Sequence, residues 1–160
     1  MFTFVFDADA LIKLTKAGIL PMITSHIRCL VPHQVLAETL AAKHKLLEDA
    51  MMIENLVNEG KIEVSEAKIS GDKEIGKGEQ AALMRFEEGG ADAIVSDDRQ
   101  FISYLKTKGI PFLLPTTMVL LAVQNGWLEP KVAEDALEKM RPFVRYANYA
   151  STKRAIRGPL

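Results

Sequence analysis

The sequence alternates short apolar segments with longer amphipathic ones, and this alternation constrains the fold more than any other feature. The candidate buried strands are short and rich in β-branched or aromatic residues: FTFVF, RCLVP, ADAIVSDD and IPFLLP. A further segment, KIEVSEA, alternates apolar and polar residues as a half-exposed strand would. Between them lie segments with apolar residues at helical spacing, such as ADALIKLTKAG. This order predicts an α/β fold, a three-layer α/β/α sandwich with a mostly parallel central sheet.

The length of 160 residues suits one domain with a sizeable core, and no apolar run approaches the roughly 20 residues of a membrane helix. The first apolar run has no basic segment before it, and Asp7 and Asp9 interrupt it. It therefore does not have the pattern of a signal peptide, and we expect a cytoplasmic location. The single cysteine, Cys29, excludes an intrachain disulfide framework or a cysteine-rich zinc site, and its apolar surroundings predict a buried, inert thiol.

The charges are unevenly distributed along the chain. From Lys139 to the end there are six basic residues and no acidic one, which leaves 14 basic residues against all 21 acidic ones before it. We therefore divide the chain into a domain over residues 1–140 and a basic, less regular extension over residues 141–160. Such an extension could contact phosphates, or it could pack on the acidic body or on a partner subunit.

Acidic residues follow two of the predicted strands. Asp7 comes directly after the first strand, and Asp97 and Asp98 come directly after AIVS. Ligands of parallel sheets bind beyond the carboxyl ends of the strands. If the two strands are neighbours, these carboxylates face one another at one edge. An acid that ends a buried strand is costly unless it is paired, which favours a functional interpretation of Asp7.

Two further acids lie in predicted helices. Glu38 follows the strand RCLVP by one or two helical turns, and Glu79 begins a helix after Gly76 and Gly78. Converging carboxylates raise one another's pKa, and a bound cation removes that repulsion. Oxygen ligands without histidine or thiolate favour Mg²⁺ or Mn²⁺ over zinc. The three histidines match no acidic pattern and are interpreted as structural or surface residues: His26, His33 and His44.

The order of the motifs resembles that of a PIN domain. The motifs are FVFDADALIKL, VPHQVLAETL, GKGEQAAL, AIVSDDRQF and GIPFLLPTTMVLLAVQNGWL, and they cover roughly residues 2–128. The chain is most similar to the prokaryotic, VapC-like toxin type with a GE-type third motif. The resemblance implies an endoribonuclease that uses Mg²⁺ or Mn²⁺ to hydrolyse RNA phosphodiester bonds. It also implies a homodimer and the toxin role of a toxin–antitoxin pair, with an antitoxin protein as partner.

The resemblance also implies roles for single residues. The four acids of the family's centre correspond to Asp7, Glu38, Glu79 and Asp98, which are expected to be catalytic and to hold the metal. Asp97 is expected to be an accessory metal ligand, and Asp9 and Ser96 to support the site by hydrogen bonding. Two positions depart from the family pattern: many relatives have Asp near position 79, and Asn or Ser at position 9. Lys13 and Arg99 are interpreted as solvated surface charges rather than as guides for the phosphate backbone.

Two other interpretations stay open. The DAD segment is similar to the motif of haloacid dehalogenase phosphatases, but Ala10 and Leu11 stand where those enzymes have a Gly-Thr turn. Trapping of an aspartyl-phosphate on Asp7 would support that interpretation. The chain could also be a non-catalytic RNA- or protein-binding module that retains its acids for stability. Metal binding without cleavage of RNA would support this second interpretation.

Overall fold

The computed structural model describes residues 1–41, 47–66, 71 and 74–158. Within these residues, five strands form a single, entirely parallel sheet in the order β3-β2-β1-β4-β5. The strands are β1 (Thr3–Phe6), β2 (Arg28–Pro32), β3 (Ile62–Ser65), β4 (Ala93–Val95) and β5 (Phe112–Leu113). The parallel sheet predicted from the alternating sequence is confirmed, and it includes the half-exposed strand KIEVSEA as β3.

Helices connect the strands and cover both faces of the sheet. In chain order they are α1 (Ala8–Lys16), α2 (Leu20–His26), α3 (His33–Ala41), α4 (Leu47–Asn58), α5 (Lys77–Glu87), α6 (Arg99–Lys108), α7 (Pro115–Gln124), α8 (Pro130–Met140) and α9 (Tyr146–Arg157), with a short 3-10 helix at Arg141–Phe143. Within the described part of the chain, none of these helices has both the length and the apolar character that crossing a membrane requires.

The central strand β1 divides the core into two layers. Side chains of successive strand residues point to opposite faces of a sheet. Phe4 and Phe6 accordingly belong to the larger cluster, which includes residues of α1, α2, α7, α8 and α9. Val5 belongs to the second cluster, with residues of α5 and α6 such as Phe101 and Leu105. The three-layer arrangement predicted from the sequence is confirmed.

The pairing of β1 with β4 fixes the position of the strand-end acids. Phe6 is the register partner of Val95. The residues that follow, Asp7 and Ser96, therefore leave the sheet side by side at its carboxyl edge. The backbone N–H of Asp7 donates to the carbonyl of Val95 at 3.1 Å, which extends the pairing to the start of α1. The expectation that these two strands are neighbours is confirmed.

The C-terminal segment differs from the sequence prediction. Instead of a less regular extension, residues Tyr146–Arg157 form the helix α9, which packs against α7 and α8. Tyr149, Thr152 and Ile156 are buried on one face, and Tyr149 and Ile156 belong to the larger core cluster. The prediction of an irregular segment there is therefore wrong. Buried residues spaced by three and four positions place one face of a helix on the core. The division into functional units at residue 140 stays a prediction.

Cys29 lies in β2 and is 1% exposed, so the buried thiol predicted from the sequence is confirmed. Burial raises its pKa, and the negative charge of Glu63 raises it further. A thiol must lose its proton to act as a nucleophile or metal ligand, and the raised pKa of Cys29 opposes this. Cys29 therefore serves as a residue of the core.

Candidate functional site

A pocket opens at the carboxyl edge of the sheet, above β1 and β4. Its volume is about 170 Å³. It is lined by Asp7, Ala8, Asp9, Glu38, Gly78, Glu79 and Asp98. We call it the acidic pocket. It brings together all four acids predicted to form the catalytic centre, and they come from four different parts of the chain.

Asp7 is the most buried of these acids. It ends β1 and caps the N-terminus of α1, where its Oδ1 accepts a hydrogen bond from the backbone N–H of Ala10 at 2.8 Å. Its Oδ2 accepts a hydrogen bond from the hydroxyl of Ser96. The side chain is therefore held at both oxygens. Each carboxylate oxygen still has a lone pair that can bind a cation.

Asp98 occupies the equivalent position after β4. It caps the N-terminus of α6, where its Oδ1 accepts from the backbone N–H of Phe101 at 2.9 Å. Its own backbone N–H donates to Ser96 Oγ at 3.2 Å. Ser96 is fully buried and thus joins both strand-end acids through one hydroxyl group. Its predicted role in supporting a functional site stays a prediction.

Glu79 begins α5 and is folded back onto its own helix terminus. Gly76 is the N-cap residue of α5 and Glu79 lies three positions later. The Glu79 carboxylate accepts hydrogen bonds from its own backbone N–H and from that of Gly76. This is the second half of a capping box. The carboxylate thus satisfies backbone donors at the edge of the acidic pocket.

Glu38 reaches the same helix terminus from α3, which packs against α5. Its carboxylate occupies the space beside Gly78, because a Cβ atom there would lie only 2.4 Å from Glu38 Oε2. Gly78 lies in the first turn of α5, where the helix dipole favours a negative charge. The absence of a side chain at position 78 therefore admits the Glu38 carboxylate to the pocket.

The acids of the pocket disfavour one another's charged state. Burial raises the pKa of Asp7 from 3.8 to about 7, and the charges of Asp9 and Glu79 add to this shift, against the hydrogen bonds from Ser96 and Ala10. Burial also raises the pKa of Glu79, with further contributions from the charges of Asp98 and Glu38. A cation in the pocket would reverse both effects.

Asp97 is not among the residues that line the acidic pocket. Its Oδ2 lies 2.5 Å from Lys13 Nζ of α1, and the two side chains are only 6% and 15% exposed. The interpretation of Lys13 as a solvated charge is therefore wrong, because this ion pair ties α1 to the loop after β4. The structure does not bring Asp97 together with the other acids, and its role as an accessory metal ligand stays a prediction.

Asp9 lies at the mouth of the pocket. Its side chain is 57% exposed, and its Oδ2 is 4.0 Å from Lys13 Nζ. It lines the pocket without taking part in a helix cap. The histidines lie elsewhere: the ring of His26 stacks on Trp127 and that of His33 is exposed, as predicted, while His44 lies outside the described residues.

The donor set fits Mg²⁺ or Mn²⁺, since only carboxylates line the pocket and both ions prefer oxygen ligands. Among the described residues, however, no three acidic, histidine or cysteine side chains lie close enough together to hold an ion as they stand. Asp7 and Asp98 are fixed by helix caps. Glu38 and Glu79 have longer side chains, and rotation about their additional bond changes the positions of their oxygens.

Two features of the site were missed by sequence reasoning. The space beside Gly78 and the ion pair between Lys13 and Asp97 both depend on contacts between distant segments. The GKGE segment did carry a signal for the first, since two glycines at a helix start leave room for side chains of other elements. No local pattern indicates the second, because its partners are 84 residues apart.

Comparison with known protein families gives one match. The model of a family described as a PIN domain matches residues 3–157. No curated protein and no solved structure shows a significant match. The match spans all five strands, every residue of the acidic pocket and the helix α9.

Proposed function

The chain belongs to the PIN-domain family, and from this premise we propose that it is a metal-dependent endoribonuclease that hydrolyses RNA phosphodiester bonds. Proteins of this family are in general nucleases that need a divalent metal. The observation that carries the proposal is the acidic pocket, in which Asp7, Glu38, Glu79 and Asp98 line one concave site at the carboxyl edge of the sheet.

In this proposal the strand-end acids hold Mg²⁺ or Mn²⁺, and the two glutamates complete the site directly or through water. Such an ion lowers the pKa of a bound water and neutralises negative charge on the phosphodiester. Ser96 orients the carboxylate of Asp7 by its hydrogen bond and fixes the backbone of Asp98. The capped positions of both acids keep them in place before any ligand arrives.

Asp9 is proposed to support the site from the pocket mouth. Its exposed carboxylate can accept a hydrogen bond from a water or from a substrate hydroxyl group. Its charge also raises the pKa of Asp7. A bound cation would offset this repulsion between the two carboxylates. Asp97 contributes through Lys13, which holds the loop that carries Asp98 against α1.

The test is cleavage of an RNA pool that contains both structured and single-stranded molecules, in Mg²⁺, Mn²⁺ or EDTA. We expect cleavage with either metal, none in EDTA, and none by the Asp7→Asn, Asp98→Asn double variant. The matched control is an Asp135→Asn, Glu87→Gln variant, which removes two exposed charges outside the pocket. Equal cleavage by the double variant and the control would overturn the proposal.

The alternative of a non-catalytic module has one observation in its favour, since among the described residues no three candidate ligand side chains lie close enough together to hold an ion. Metal binding by the folded protein without cleavage of any RNA in the pool would support it. The phosphatase alternative receives no support, because the family match is to PIN domains.

A toxin role with an antitoxin partner, a homodimer and a cytoplasmic location are proposed from the family resemblance. The dimer has modest support in the structure, because α4 exposes the apolar side chains of Leu47, Met51 and Met52. Light scattering of the purified protein would measure the number of subunits. Arrest of bacterial growth on expression, relieved by the Asp7→Asn, Asp98→Asn variant, would support the toxin role.

A further inference from the structure

A second concave surface lies on the C-terminal helix, and it has the opposite charge from the acidic pocket. Its volume is about 340 Å³. Four cationic side chains and two tyrosines line it: Arg141, Tyr146, Tyr149, Lys153, Arg154 and Arg157. We call it the C-terminal groove. We propose that it binds a segment of single-stranded RNA, as a site that extends the proposed nuclease function and rests on it.

The cations of the groove exceed the acids that could neutralise them. Glu138 contacts Lys153 at 2.9 Å and Arg141 at 3.9 Å, and Glu134 contacts Arg157 at 2.6 Å. Within the part of the chain that the structure describes, two arginines form no ion pair: Arg154, which lines the groove, and Arg145, which does not line it but precedes Tyr146 at its edge. Both are exposed, one at the N-cap of α9 and one in its last turn. Exposed guanidinium groups that form no ion pair within the protein can bind phosphates.

The groove also offers an aromatic surface for a nucleobase. Tyr146 is 68% exposed, which is unusual for a large ring. Its ring lies 5.9 Å from that of Tyr149 and 5.9 Å from the guanidinium carbon of Arg141. Tyr149 is buried, and its hydroxyl donates a hydrogen bond to Glu138. The position of the Tyr149 ring, against which Tyr146 lies, is therefore fixed. An exposed ring beside arginines can stack an unpaired base of any sequence.

These features favour single-stranded over double-stranded RNA. In a duplex the base faces are stacked on one another, and a protein meets phosphates and sugar hydroxyls instead. The exposed face of Tyr146 therefore gains a partner only if the base is free. The combination of phosphate-binding arginines and a stacking ring is that of sequence-tolerant single-strand sites.

The helix α1 runs from the acidic pocket to the segment between α8 and α9, which adjoins the groove at Arg141 and Tyr146. Phe143, between α8 and α9, packs under Lys16 Nζ at 4.9 Å from the ring centre. Lys16 ends α1, and Asp7 caps the start of the same helix. Nine residues of helix separate these ends by about 14 Å. In this proposal, a single RNA strand of several nucleotides follows α1 and contacts both sites.

The first test measures binding without cleavage. The probe is a fluorescein-labelled, unstructured RNA of about 12 nucleotides, and its fluorescence anisotropy is recorded with increasing protein in EDTA. The variants are Tyr146→Ala and a double variant, Arg145→Gln with Arg154→Gln. The control is Lys61→Gln with Lys131→Gln, which removes two exposed charges outside the groove. Circular dichroism checks that every variant is folded, as expected from the exposure of these residues.

We expect Tyr146→Ala to raise the Kd for the RNA about tenfold, because one stacked base is lost. Loss of two phosphate contacts in the double variant should lower the slope of log K against log salt by about 1.4. The control should change the slope by less than half as much. Binding of the groove variants indistinguishable from that of the control would overturn the proposal. A change in their oligomeric state would also overturn it, since the groove would then be an interface between copies.

A second test separates this proposal from the nuclease function. With Mn²⁺ present, the groove variants should raise the KM for the 12-nucleotide RNA about tenfold and leave kcat within about twofold of wild type. Cleavage with unchanged KM and Kd would overturn the groove alone. Groove-dependent binding of RNA that is never cut would overturn the nuclease function alone.

Discussion

The acidic pocket and the surface formed by α8 and α9 differ in how their acidic side chains are stabilised. In the acidic pocket, five acids face one another, and Asp7, Asp98 and Glu79 are satisfied by backbone N–H groups at helix starts. On α8 and α9, acids pair with cationic side chains that are themselves exposed, such as Arg157 with Glu134. The first arrangement concentrates acids without a counter-charge, whereas the second neutralises its acids and leaves an excess of cations.

This difference shows that the acids of the pocket still lack a counter-charge, whereas the acids on α8 and α9 already have one. Helix N-termini stabilise single carboxylates, but they do not remove the repulsion among several of them. The raised pKa of Asp7 records the cost of its burial, to which the repulsion by Asp9 and Glu79 adds. A bound cation would lower it, whereas the ion pairs of α8 and α9 already contain their own counter-charges. The four predictions below test this contrast.

The largest expected effect is on cleavage. Asp98→Asn keeps the cap of α6, because Asn is also a good N-cap residue, but it removes the charge that would bind the metal. We expect kcat/KM to fall by about 10²-fold or more in Mn²⁺. The neighbouring Asp97→Asn should reduce cleavage less, since Asp97 pairs with Lys13 outside the pocket. An equal loss in both variants would instead support the predicted metal contact of Asp97.

The second effect is on stability and its dependence on pH. Because the pKa of Asp7 is raised to about 7 in the folded state, folding favours its protonated form. The stability that this group contributes is present below pH 3.8 and is lost as the pH rises through about 7. In EDTA, Asp7→Asn should therefore gain stability over wild type across this range, by up to a few kcal/mol above pH 7.

The measurement is urea denaturation of both proteins between pH 4 and 8. The advantage of Asp7→Asn should shrink when Mg²⁺ or Mn²⁺ is added, because the ion binds the charged form of the wild type. A stability difference that does not change with pH would show that the Asp7 carboxylate carries no such cost.

The third effect separates stability from metal affinity at Gly78. An added Cβ would collide with the Glu38 carboxylate, which can move because it is the end of a flexible, exposed side chain. Gly78→Ala should thus keep or raise the unfolding temperature, since Ala favours a helix over Gly by about 1 kcal/mol. We expect the affinity for Mn²⁺, measured by calorimetry, to fall about tenfold.

The matched variant is Gly76→Ala, where a Cβ would lie 2.4 Å from Glu79 Oε2 instead. Comparison of the two variants reports which glutamate contributes more to the ion. Unchanged affinity in both would argue that neither carboxylate takes part in metal binding.

The smallest effect is expected from the surface pairs. Glu134→Gln removes the partner of Arg157 on an exposed surface, where ion pairs are screened and contribute little. The Tm should stay within about 2 °C of wild type at moderate salt. A drop in Tm of more than about 2 °C that is the same at low and high salt would contradict this prediction. It would show that the Glu134 side chain stabilises the protein by more than a screened ion pair.

The sequence was sufficient to predict the layers of the fold and the two strand-end acids. Asp7 and Asp98 follow buried strands directly, and the parallel sheet brings such positions to one edge. Glu38 and Glu79 were harder, because a glutamate in a helix is usually solvated. The order of the family motifs, rather than local pattern, identified them.

The C-terminal helix could not be recognised from its hydrophobicity. Its buried face consists of Tyr149, Thr152 and Ile156, in which a polar residue occupies the middle position. The helical spacing is present but the apolar signal is weak, and the density of basic residues hides it. Tyr146 and the unpaired Arg154 line one groove because this helix brings them to the same surface.

The strand order has a consequence for how the molecule is made. β1 comes first along the chain but lies in the middle of the sheet, between β2 and β4. On the ribosome it can pair with β2 early, while its other edge stays open until β4 has emerged about 90 residues later. Contacts this distant slow folding. A nascent chain therefore completes its carboxylate cluster only after Asp98 has been synthesised, so that any nuclease activity begins after that point in translation.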